Sequence, residues 1–170
     1  MESARDVRGM RAAARTALLL ALAGCLSGGG AYAQAPASVG VDAVPVQGLS
    51  FGPLIPGVSE AIPVTDAGRR AEIVLNGHGT LDVTLVLPTA MVSPAGARLP
   101  LLFTARDGAL MRNVSASLLP VDPLSTMRVR LDASQGPARL LLGGTARPSR
   151  EQPAGSYTAT ILVVITNPGT

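Results

Sequence analysis

The residue types that do most protein chemistry are few in this chain and lie far apart. His78 is the single histidine. A lone histidine cannot hold a metal ion without carboxylate partners, and the aspartates stand singly near the ends of predicted strands, where Asp commonly caps turns. No carboxylate pair has acid-base spacing, and no calcium-loop pattern occurs. We therefore expect no catalytic, cofactor or metal site, and a protein that is not an enzyme.

Arginines are the other candidate chemical groups. Arg128 and Arg130 share the outward face of one predicted strand, and Arg139 follows nearby. Such a group would suit a sugar or another anion, but carbohydrate platforms usually depend on aromatic stacking, and aromatic residues make up only 2% of this chain. A solvated strand face that discourages edge pairing is the simpler interpretation.

The net charge gives little support to a nucleic-acid partner. The formal charge is +3, but residues 1–15 contain four arginines against two acidic residues. Without that segment the net charge is +1. A domain so close to neutral lacks the basic surface that nucleic acids require, and we expect no nucleic-acid partner.

The beginning of the chain has the pattern of a secretory signal peptide. An apolar run over 16–23 follows Arg11 and Arg15, and Met10 is a second plausible start. The run is much shorter than the roughly 20 apolar residues that span a bilayer, so no transmembrane span is predicted. We expect an exported protein, in the periplasm, on the cell surface or outside the cell.

Two cleavage sites compete in this leader. Ala31 and Ala33 form a small-x-small site that would release a chain beginning at Gln34. The alternative is a lipobox ending at Cys25, which would make an outer-membrane lipoprotein, and only then would the protein contact a membrane. The ordinary length of the segment before Ala33 favours the first site. The predicted organisation is a signal peptide (1–33), a flexible arm (34–40) and one domain (41–170).

The rest of the chain reads as short strands separated by turns. Hydrophobic residues make up 47% of the chain, and its 19 Gly and 14 Pro are dispersed. Predicted strands include 41–46, 49–55 and 114–118, and a tight hairpin is predicted at 76–79. Strict alternation over 127–132 predicts one charged, solvated face. About eight strands with no helical period predict an all-β antiparallel sandwich, held by its core alone because Cys25 is the single cysteine.

Residues 157–166 form the clearest strand of the predicted sandwich. Alternation places Ile161, Val163 and Ile165 on one face, which we expect to be core. Leu162 and Val164 lie on the opposite face, which is also apolar in its middle. We therefore expect this second face to be covered, either by the same domain or by a neighbour.

Two segments of the chain resemble a bacterial family of exported domains, the domain of unknown function 4402. They are LSFGPLIPG at 49–57 and QPAGSYTAT at 152–160, and the resemblance spans 41–166. Similar endings occur in the spore coat U and chaperone-usher pilin families. The resemblance implies an immunoglobulin-like, pilin-like sandwich that serves in a fimbria-like or other envelope structure.

In pilins of that kind, the arm of one subunit supplies a missing strand of the next. The partners implied here are further copies of the chain, related envelope subunits and an export chaperone. The predicted exchange surface comprises Val39, Val41, Val44 and Val46 on the donor side and Leu162 and Val164 on the acceptor side. The chain lacks the cysteine pair of many pilins, and its arm also has the option of pairing with its own domain. The alternative function is a monomeric envelope binding module or adhesin, lipid-anchored if Cys25 is used.

Overall fold

A computed structural model describes residues 40–112 and 117–168 of the protein. In chain order the strands are β1 Asp42–Gln47, β2 Glu60–Ile62, β3 Ala71–Asn76, β4 Gly79–Val86, β5 Ala90–Val92, β6 Arg98–Leu102, β7 Gly108–Met111, β8 Leu119–Val121, β9 Met127–Leu131, β10 Ala138–Leu142, β11 Gly144–Ala146 and β12 Leu162–Thr166. A single 3-10 turn, Ala133–Gln135, is the only helical element in the described residues.

The strands form three antiparallel sheets. Their orders are β1-β3-β10-β7-β8, β2-β11-β6-β5 and β12-β4-β9. The predicted all-β sandwich is confirmed. The described residues contain twelve strands rather than about eight, because short strands such as β5 and β8 lie in stretches that turn residues interrupt.

The main core lies between the five-stranded and the three-stranded sheets. Alternate side chains of β3, β4, β9 and β10 fill it, and Leu75, Val83 and Leu140 are almost wholly buried. The alternation predicted at 127–132 is confirmed, since Met127, Val129 and Leu131 of β9 are buried and its arginines are exposed. The core is aliphatic, as the scarcity of aromatic residues predicts.

The hairpin predicted at 76–79 is wrong. β3 and β4 belong to different sheets, so these residues cross from one layer of the sandwich to the other. Gly77 (φ 131°) and Gly79 (φ 99°) supply positive φ angles, and such angles allow a crossover as well as a hairpin. His78 is exposed at this corner.

Two other strand predictions differ from the structure. Residues 49–55 form a loop, in which Phe51 is buried against Ile62 and Leu99 and the chain turns at Gly52 (φ 66°). The long closing strand begins at Leu162 rather than at 157, and before it only Thr158 forms an isolated bridge, to Val92. Most of the strand predicted at 114–118 lies outside the described residues.

A close backbone approach at Gly143 joins two of the sheets. Gly143 is the single residue between β10 and β11, and a Cβ atom there would lie 2.2 Å from the backbone carbonyl oxygen of Ile62 at the end of β2. Its amide donates to the carbonyl oxygen of Asp107 at 2.8 Å. Only glycine fits here without backbone movement.

We expect Gly143→Ala to destabilise the domain by about 2–3 kcal/mol, because the added methyl group meets rigid backbone. Urea unfolding followed by circular dichroism measures the change. Gly68→Ala is the matched control. The nearest atom to its new Cβ would be a carboxylate oxygen of Asp66 at 3.7 Å, an ordinary contact. Equal unfolding midpoints for the two variants would contradict this account of Gly143.

Candidate functional site

Two strands from opposite ends of the domain leave unpaired edges beside each other. β1 pairs only with β3, and β12 pairs only with β4. A groove of about 590 Å³ lies between them, lined by Ala43 and Pro45 of β1 and by Ile161 and Val163 at β12. The groove therefore has main-chain groups along both sides and apolar side chains within it.

The groove lining contains no charged side chain among the described residues. Ile73 of β3 also lines the groove, as do Leu49, Phe51 and Phe103. Gln47 is one of its few polar residues, and its amide nitrogen is already bound to the carbonyl oxygens of Ala67 (3.2 Å) and Arg70 (2.8 Å). The surface accordingly suits an apolar occupant.

The core is incompletely covered along this groove. The inward side chains Ile161, Val163 and Ile165 pack against the main core but remain only half-buried. On the paired strand β4, the equivalent residues Val83 and Leu85 are buried. The difference follows from position, because β4 has a neighbour on each side and β12 has one.

The other edge of the three-stranded sheet, β9, is protected against pairing with a further strand. There Arg112, which follows β7, donates a hydrogen bond of 2.6 Å to the carbonyl oxygen of Arg130 in β9. β9 also presents two outward arginines, and charged side chains discourage edge pairing. β12, with the sequence LVVIT, has neither a charge nor a proline. Of these two edge strands of the three-stranded sheet, β12 is the one open to further pairing.

The residues predicted to exchange strands occupy different places from the groove lining. Val44 (41% exposed), Val46 (59%), Leu162 (56%) and Val164 (39%) face outward and do not line the groove. Val41 is half-buried against the core. On β12 the groove is lined by the face that the sequence predicts to be core. This face differs from a fully buried one only because the edge of β12 is open. Val39, Cys25, Ala31, Ala33 and Gln34 lie outside the described residues.

A second cleft adjoins the groove. Its volume is about 610 Å³, and it shares Leu49, Phe51, Met91 and Tyr157 with the groove. The Tyr157 hydroxyl donates to the carbonyl oxygen of Pro153 and accepts from Gln152, both at 2.7 Å. These bonds fix the loop that forms one wall of the cleft.

The predicted arginine group is divided between two sheets. Arg128 of β9 binds Asp82 of β4 through two hydrogen bonds, of 2.9 and 3.2 Å. Arg139 lies in β10 of the five-stranded sheet and pairs with Glu72, which also binds Arg70 at 3.4 Å. Arg139 therefore does not join Arg128 in one patch.

Comparison with known proteins finds little similarity. No family model matches the chain and no curated protein matches it, so its resemblance to the domain of unknown function 4402 stays a prediction. Among solved structures, one similar chain is a family 123 glycoside hydrolase from Clostridium perfringens, at 13% identity and a TM-score of 0.43. The match covers 76% of this chain and 25% of that one. A similarity this low carries no argument about activity.

A helix that spans a membrane must be long and apolar. Residues 40–112 and 117–168 contain no helix with the dimensions and apolar character of a membrane-spanning segment.

The Asp82–Arg128 pair makes a testable electrostatic prediction. Hydrogen bonds from Arg128 are the main cause that lowers the pKa of Asp82, so the pair stabilises the fold above the ordinary carboxyl pKa and loses that effect as the pH falls through the lowered value. Arg128→Gln should therefore raise the pKa of Asp82 towards its ordinary value, as followed by NMR titration of the side-chain carboxyl carbon. Arg130→Gln is the control, and an equal rise in that variant would contradict the assignment.

Proposed function

We propose that the protein is a non-enzymatic, exported structural subunit of the cell envelope that self-associates by β-strand addition. In this proposal, a strand from a second copy enters the groove between β1 and β12. The observation that carries the proposal is the uncharged, unpaired β12 edge beside half-buried Ile161 and Val163. The open edges of β1 and β12 on one groove also support the finer, pilin-like description of the sandwich.

An added strand would satisfy two needs of this groove at once. Its main chain would bond to the open edges, as in β-strand addition. Its inward side chains would cover the half-buried aliphatic groups, and burial stabilises by about 25 cal/mol per Å² of apolar surface. The outward residues Leu162 and Val164 would then lie beside the added strand rather than beneath it.

The arm before β1 has the composition of such a strand. Ala35, Ala37 and Val39 alternate with residues that carry no charge, including Pro36 and Ser38. With cleavage after Ala33, residues 34–40 span about 23 Å when extended, against about 17 Å for the five residues of β12. The arm is therefore long enough to line β12 if it runs straight.

Chain length also favours the groove of a neighbour over the arm's own groove. Gly40 lies beside Gly77 at the end of the groove where β1 begins. To enter its own groove the arm would have to reverse, and even a tight reversal uses at least about two residues. About five of the arm's seven residues would then remain, which only equals the length of β12. A neighbour's groove demands no reversal.

A monomeric binding module is the second candidate function, with a lipid anchor if Cys25 is used. The second cleft favours it, because it is a hollow of about 610 Å³, lined in part by Phe51 and Tyr157, that a small ligand would fill. In that case the protein would remain monomeric at all concentrations.

Complementary variants test strand addition in the chain that begins at Gln34. We expect Val39→Asp to disable the arm and Val163→Asp to disable the groove, because an unpaired carboxylate in an apolar site costs several kcal/mol. Each variant alone should lose self-association by at least a hundredfold in light scattering after size exclusion. Mixed together, the two should form dimers and nothing larger, since each supplies the part that the other lacks.

The controls separate the groove from the outer face. Val164→Asp changes the adjacent, exposed residue of β12 and should leave association nearly unchanged. Circular dichroism checks that Val163→Asp is folded, and dimer formation with its complement provides a second check. Strand addition is rejected if the mixture stays monomeric while both variants are folded, or if the unmodified chain is monomeric at every concentration.

A further inference from the structure

Met91 lies where the groove and the second cleft meet. It belongs to β5, pairs with Leu99 of β6 and lines both hollows. It is half-buried and packs against the smaller apolar cluster, to which Phe51 and Tyr157 also belong. It is one of four residues that line both hollows, with Leu49, Phe51 and Tyr157.

Met91 is also the most accessible sulfur in the domain. The chain has five methionines and one cysteine. Two of the methionines and Cys25 precede Gln34, and the other two, Met111 (8% exposed) and Met127 (7%), are buried in the core. An oxidant that reaches the folded domain therefore meets Met91 first.

We propose that Met91 is an oxidative modification site whose conversion to methionine sulfoxide closes the groove to an added strand. The oxidant is hydrogen peroxide. Its O–O bond breaks, one oxygen atom bonds to the Met91 sulfur, and the other leaves as water. The sulfur loses two electrons, and the peroxide gains them. The product is polar where the thioether was apolar.

The surroundings of Met91 explain why this change would matter. Among the polar side chains of the groove, the Tyr157 hydroxyl is engaged by Pro153 and Gln152, and the amide nitrogen of Gln47 by two carbonyl oxygens. An incoming strand would bury the sulfoxide oxygen against Phe51 and Leu49. Burying a polar group without its hydrogen bond is unfavourable, and we expect association to weaken about tenfold or more.

The effect of oxidation on association rests on the proposed function, and the test separates a failure of this inference from a failure of that function. The chain from Gln34 is treated with hydrogen peroxide, which catalase then removes. Mass spectrometry should show about 16 Da added at Met91 before Met111 or Met127 is modified. Light scattering should show association weakened about tenfold, while Met91→Leu, similar in volume and not oxidisable, should associate equally before and after treatment.

A second measurement needs no self-association. In the Val39→Asp chain, whose groove is expected to be empty, the uncharged dye Nile red should lose fluorescence after oxidation, and it should not do so in Val39→Asp/Met91→Leu. This dye response, together with an unmodified chain that stays monomeric at every concentration, would support the Met91 site and reject the proposed function. Complete oxidation of Met91 without any change in dye binding or association would overturn the inference, as would equally fast oxidation of Met111 and Met127.

Discussion

The incomplete burial of aliphatic surface along β12 is the constraint on which the rest of the structure depends. The core contains little aromatic surface, so its stability comes from many Leu, Val and Ile side chains that need neighbours on every side. β4 gives its inward side chains that enclosure because β12 and β9 flank it. β12 does not, and Ile161, Val163 and Ile165 remain half-buried beside an open main-chain edge. One added strand would cover these apolar side chains and also pair with the open edge.

The distribution of charge favours strand pairing at the open edge of β12 over pairing at β9. Arg112 bridges the far side of the sandwich to β9, and the Arg128–Asp82 pair ties β9 to β4. Within the described residues, no charged side chain is buried and none lines the groove. Edge strands attract unwanted pairing unless charge or cover protects them. Within the three-stranded sheet the protection is placed at β9 and is missing at β12, so association through this sheet would be directed to β12.

The sequence predicts strands well where alternation is strict, as at 127–132, because one periodicity decides both the conformation and the buried face. It predicts their neighbours poorly. Gly77 and Gly79 permit a hairpin and a crossover equally, and only packing between sheets selects the crossover. Phe51 alternates with Leu49 as in a strand, yet the second apolar cluster holds its ring in a loop. Alternation separates the two faces of 161–166, but only the tertiary arrangement shows that the inward face is left half-open.

Amide hydrogen exchange of β12 tests the central claim most directly. In dilute, monomeric protein the alternate amides of Leu162–Thr166 that point away from β4 should exchange quickly. When the chain from Gln34 is concentrated, those amides should become protected, while β9, at the other edge of the same sheet, should not change. Oligomers that form without new protection in β12, or with new protection at β9 instead, would contradict the account.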